Sequence, residues 1–119
     1  MSDLFDLRVR SEGEIGILET QGYLNNMGAE KVADVCDDMV KEGVKYFVLN
    51  LEKSRAVSSI GISILIEVLL KVRKLDGKVA FCCASPTVTK TLHIMGLLKA
   101  SAAYDTEAEA VQALEELNE

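Results

Sequence analysis

Two short apolar runs constrain this chain more than anything else in it. Tyr46-Phe47-Val48-Leu49-Asn50-Leu51 and Val79-Ala80-Phe81-Cys82-Cys83 are continuous rather than alternating, and turn or charged residues bound them. That is the pattern of strands buried on both faces. Such strands pair in parallel, and parallel neighbours need a long crossover between them. Residues 58–75 supply one, a strongly apolar stretch at helical period closed by Asp76-Gly77. The rest of the chain continues the alternation. Leu7-Arg8-Val9-Arg10 and residues 15–20 read as a hairpin around Ser11-Glu12-Gly13-Glu14. Ala29, Val32, Cys36 and Met39, with Val35 and Val40 beside them, predict an amphipathic helix ending near Gly43. Ser85-Pro86 opens a third helix that runs toward Gly96, because proline at the first helical position gives up an N–H that has no partner there. A short strand around Ala102-Ala103-Tyr104 precedes the capping-box spacing Thr106-Glu107-Ala108-Glu109 and a last helix carrying Ala110, Val111, Leu114 and Leu117. The order ββαβαβαβα predicts an α/β fold, a single domain over residues 1–119. Its sheet is expected to be mixed, mostly parallel and five-stranded, with the first strand antiparallel and about four helices.

Charge and cysteine usage exclude several function classes. The chain carries 13 Lys and Arg against 19 Asp and Glu, a net charge of −6, and its basic residues are scattered; this argues against nucleic-acid binding. Three cysteines, Cys36, Cys82 and Cys83, make a poor disulfide framework and suit a reducing compartment. No apolar run is long enough to span a bilayer. Met1-Ser2-Asp3-Leu4-Phe5-Asp6 is acidic where a secretory signal would be basic, so the expected location is cytoplasmic. With one histidine, His93, a metal site is not expected, and neither is a cofactor: GxGxxG, GxxxxGK[ST] and GxSxG are all absent. His93 reads as a partly exposed helix residue. No enzyme site can be assembled. The vicinal cysteines read as small core residues, one on each face of the sheet.

Two surfaces remain. Asp34, Asp37, Asp38 and Glu42 line the first helix, a solvated face or an acidic contact for a basic partner. The more informative stretch begins at Ser58-Ser59-Ile60-Gly61, where two serines open the second helix and can cap its N–H groups. At about 100° per residue, Ser63, Glu67, Lys71 and Lys74 share one sector with Ile60 and Leu70. Large apolar side chains rimmed by charge are what a protein contact surface looks like.

These segments resemble the STAS domain family, in particular its anti-sigma factor antagonists of bacterial partner-switching systems. Gly22-Tyr23-Leu24-Asn25 is similar to the family's Gly-x-Leu-Asp turn, and Val48-Leu49-Asn50-Leu51 to its Val-Leu-Asp-Leu strand. Gly61 stands eleven residues beyond Asn50 (61 − 50), the family's spacing to the glycine of its Asp-Ser-Ser-Gly-Leu signature. Ser85-Pro86-Thr87-Val88, Met95-Gly96-Leu97-Leu98 and Thr106-Glu107-Ala108-Glu109-Ala110 follow in the family's order. The resemblance implies a binding module whose partner is a GHKL-type (histidine-kinase-like ATPase) anti-sigma factor and serine kinase. It implies contacts through Asn25, Ser58, Ser59, Ile60, Gly61, Ser63, Glu67 and Leu70. The family's phosphorylated serine is replaced by Ile60, which leaves Ser59, or less favourably Ser58, as the only neighbouring acceptors. The family also contains cytoplasmic subunits of membrane transport complexes and small-ligand sensors. Nothing in the residues selects between a monomer and a weak dimer.

Overall fold

In the computed structural model, residues 5–117 are described, so the acidic N-terminal residues 1–4 lie outside it. The elements follow the expected order: β1 (Asp6–Glu12), β2 (Ile15–Gln21), α1 (Asn26–Lys41), β3 (Tyr46–Lys53), α2 (Ser59–Lys74), β4 (Lys78–Cys82), α3 (Pro86–Ile94), β5 (Ala102–Tyr104) and α4 (Glu107–Leu117). A single 3₁₀ turn, Leu97–Lys99, follows Gly96 and was not foreseen. The strands lie side by side in chain order, with β1 antiparallel to β2 and every later pair parallel.

Strand periodicity divides the core into two. Phe47, Leu49 and Leu51 of β3 and Val79 and Phe81 of β4 point to the face covered by α1, α2 and α3, against Val32, Leu65, Leu69 and Leu92. The alternate residues Tyr46, Val48, Ala80 and Cys82 pack against Ala110, Val111 and Leu114 of α4. Both faces of β3 are therefore covered, which is why its sequence does not alternate.

One expectation, the placing of the vicinal cysteines on opposite faces, needs correction. The strand ends at Cys82, and Cys83 adopts a left-handed backbone conformation with φ of 63°. That turn breaks the alternation, so Cys83 packs half-buried on the same side as Cys82 rather than in the opposite core. Leu117 is exposed, since α4 buries only its first two turns. Asp76-Gly77 closes α2 as expected, with Asp76 in the left-handed conformation at φ of 61°. Gly77 is needed for close approach, because a Cβ there would overlap the carbonyl oxygen of Lys45.

Candidate functional site

The C-terminal ends of β2 and β3 are laced together beyond the sheet. Gly22 N–H donates to the Lys53 carbonyl, Leu24 N–H to that of Ala56, and Ser58 N–H to that of Leu24, each at 3.0 Å. This ladder sets the starts of α1 and α2 side by side. Each start is closed by a side-chain oxygen: Asn25 Oδ1 accepts from Gly28 N–H at 3.0 Å, and Ser58 Oγ accepts from Gly61 N–H at 2.9 Å. Such caps are worth about 1 kcal/mol each. Leu24 between them is fully buried and anchors the loop.

On this frame the exposed residues form a patch. Ile60 is 63% exposed in the first turn of α2, and Ser59 and Ser63 are exposed beside it. Ser63 Oγ donates to the Ser59 carbonyl at 3.1 Å, which turns that hydroxyl back onto the helix. Gly61 is buried, so it acts through spacing and not contact. Asn25 is half-buried and committed to its cap. Glu67 and Leu70 are exposed, with Leu70 about 15 Å further along the helix axis than Ile60, given 1.5 Å per residue. Tyr23 (50% exposed) and Met27 (65%) were missed by sequence reasoning. A signal existed for Met27, which falls off the Ala29–Val32–Cys36–Met39 stripe of α1 when placed at 100° per residue. The acidic face of α1 is partly neutralised: Asp37 lies 3.6 Å from Lys71 of α2, while Asp34, Asp38 and Glu42 are exposed. His93 is exposed on α3, as expected.

A second polar cluster lies on the α4 side of the sheet. Asn50 is 4% exposed; its Nδ2 donates to Glu107 Oε1 at 3.0 Å and its Oδ1 accepts from Glu52 N–H at 3.0 Å. Arg10 pairs with the other Glu107 oxygen at 2.5 Å. Burial pushes the Glu107 carboxyl up, but the hydrogen bonds from Arg10 and Asn50 together outweigh it and hold it below its ordinary value. Glu107 therefore adds stability above the ordinary carboxylate pKa, and that contribution is lost as pH falls through its lowered folded value. In this cluster the neutral Asn50 amide donates to Glu107, which an aspartate at position 50 could not do when ionised. Asn50→Asp would set two carboxylates against each other, raising the folded pKa of one of them. The variant should match the parent near pH 4 and fall about 1–3 kcal/mol below it as pH rises toward 8, measured by urea denaturation.

Among the described residues no group of three or more His, Cys, Asp or Glu could hold a metal ion, and no helix is long and apolar enough to cross a membrane. The cluster around Glu107 ties β1 and β3 to the start of α4 through the Arg10 and Asn50 bonds. The paired helix starts gather three exposed large apolar side chains, Tyr23, Met27 and Ile60, on neighbouring segments, while Ile94 and Met95 are exposed at the end of α3.

The comparisons with known proteins agree with this fold. An anti-sigma F factor antagonist from Paenibacillus polymyxa is 25% identical over 113 residues, covering 92% of this chain and 97% of its own. The crystal structure of an anti-sigma factor antagonist from Mycobacterium paratuberculosis superposes with a TM-score of 0.83 at 20% identity, covering 97% of both chains. A sulfate transporter family protein from Wolinella succinogenes shares the fold, with a TM-score of 0.79 at 19% identity over 91% of this chain and 90% of its own. The sequence model of the STAS domain matches residues 6–110, the span that holds the whole sheet, both capped helix starts and the Glu107 tie, and the chain belongs to that family.

Proposed function

We propose that this chain works as an anti-sigma factor antagonist in a bacterial partner-switching system, a cytoplasmic binding module with no catalysis of its own. Its partner is a GHKL-type anti-sigma factor and serine kinase. Ser58, Ser59, Ile60 and Ser63 meet that partner, with Asn25 and Gly61 holding the surface in shape and Glu67 and Leu70 extending it along α2. The observation that carries the reading is Ile60, an isoleucine 63% exposed on a backbone pinned by two caps and a three-bond ladder. An apolar side chain held rigidly in water is suited to a pocket on another protein.

Phosphate control at the residue before Gly61 is unavailable, since isoleucine has no hydroxyl. Binding there proceeds without the family's conventional phosphoserine switch. Ser58 is spent on capping Gly61. Ser59 is exposed at the first helical position, where a phosphate's charge would suit the positive helix end.

The test is affinity capture with the tagged chain from its own cells, read by mass spectrometry of both bait and prey. A GHKL-type ATPase bound to an unphosphorylated bait is the expected result. A membrane transporter as the main prey would overturn the reading, and a phosphate on Ser59 absent from the bound fraction would overturn binding without a phosphoserine switch.

A further inference from the structure

The thiols of Cys82 and Cys83 lie outside the partner surface, and neither the fold nor the proposed function uses their chemistry. In a regular strand, consecutive side chains point to opposite faces. Here Cys82 closes β4 and Cys83 follows with φ of 63°, a conformation that a non-glycine residue rarely adopts. It is held there by its N–H, which donates to the Tyr104 carbonyl at 3.1 Å. The consequence is that both side chains pack on the α4 side of the sheet. Cys82 is buried, whereas Cys83 lines an open cavity of about 600 Å³ with Arg10, Asn50, Asp105 and Glu107. One thiol lines the cavity and its chain neighbour is buried on the same side of the sheet.

We propose that Cys82 and Cys83 form a dithiol site that binds trivalent arsenicals, with Cys83 as the entry thiol and Cys82 closing the chelate. The chemistry needs no oxidant. A monosubstituted arsenical in its dihydroxide form loses two hydroxide groups as water, each taking one thiol proton, while two As–S bonds replace two As–O bonds and arsenic stays trivalent. A vicinal disulfide is the poorer product, because consecutive α-carbons lie only about 3.8 Å apart, below the usual 4.4–6.8 Å range for bridged cysteines. An arsenic atom between the sulfurs relieves that constraint. Burial, and then the neighbouring Cys83 thiol, push the Cys82 thiol well above its ordinary pKa, so the inner sulfur arrives as a neutral thiol whose proton leaves in the condensation. Cys36 is the internal contrast: burial, followed by the Asp37 charge, pushes its thiol up to about 12, and it sits alone in the opposite core.

Phenylarsine oxide is the probe, with intact mass of the folded full chain as the readout. The expected result is one adduct per chain, retained in Cys36→Ser. A 1,2-dithiol should remove it at a concentration about 100-fold below that needed with a monothiol, the margin that chelation gives. Cys83→Ser, at a half-buried position where the fold should tolerate it, should abolish the chelate. Two results would overturn the proposal: labelling only after denaturation, with the folded chain unmodified, or a dithiol-sensitive adduct that persists in Cys83→Ser.

Discussion

Replacing Ile60 with aspartate should weaken the complex with the anti-sigma partner by about 100-fold or more, close to 3 kcal/mol. Fully burying an isoleucine side chain is worth roughly 1.5–3 kcal/mol. About two thirds of that remains to be gained on docking, because Ile60 is 63% exposed in the free chain. The variant forfeits this share and adds a carboxylate that must be stripped of water against an apolar pocket, which costs more than the lost contact. The free chain should barely notice. Aspartate in the first turn of a helix is favoured by the positive end, and α2 has no acidic residue there. Titration calorimetry against the purified partner, beside thermal unfolding of the free variant, separates the two effects. Undiminished affinity would remove Ile60 from the interface.

Gly61→Ala should lower stability by roughly 2 kcal/mol, and the midpoint of thermal unfolding by about 8 °C at roughly 4 °C per kcal/mol. On helix propensity alone the substitution would help, since alanine is favoured over glycine by about 1 kcal/mol within a helix. Steric overlap reverses the sign. A Cβ at this position would lie 2.5 Å from the Leu24 carbonyl oxygen, 3.2 Å from that of Asn25 and 3.1 Å from the capping Ser58 Oγ. Two of these are backbone oxygens, that of Leu24 bonded to Ser58 N–H in the ladder and that of Asn25 bonded to Ala29 N–H at the start of α1, so relief requires pulling residues 22–25 away from the start of α2. Tyr23 and Met27 would move relative to Ile60, and partner affinity should fall with stability. A raised melting temperature would show that the loop gives way freely.

Much of this was legible because the signals were local. The buried runs of β3 and β4, the stripe on α1, the serine before Pro86 and the Thr106–Glu109 capping box each specify an element without tertiary information, and each is where the sequence places it. The exposed face of α2 was legible for the same reason, since helical phase alone puts Ile60 and Leu70 with Ser63 and Glu67. What escaped depends on contacts between distant segments. Cys83 reads as strand until β5 and its Tyr104 carbonyl are known. The buried Thr20–Ser54 hydroxyl pair, 2.7 Å apart, joins residues with no sequence pattern in common. The value of asparagine at position 50 emerges only when Glu107 of α4 is seen against it. Tyr23 lies in a turn, where no periodicity predicts exposure.

The central claim is that the paired helix starts, with the exposed side of α2 that continues from them, meet the partner. Hydrogen exchange of the complex compared with the free chain tests it most directly. Amides at residues 22–28 and 56–63 should gain protection on binding, while β1 and the amides around Cys83 and Glu107 stay unchanged. Protection confined to β1 or to the cavity on the α4 side, with residues 56–63 exchanging as in the free chain, would contradict the account.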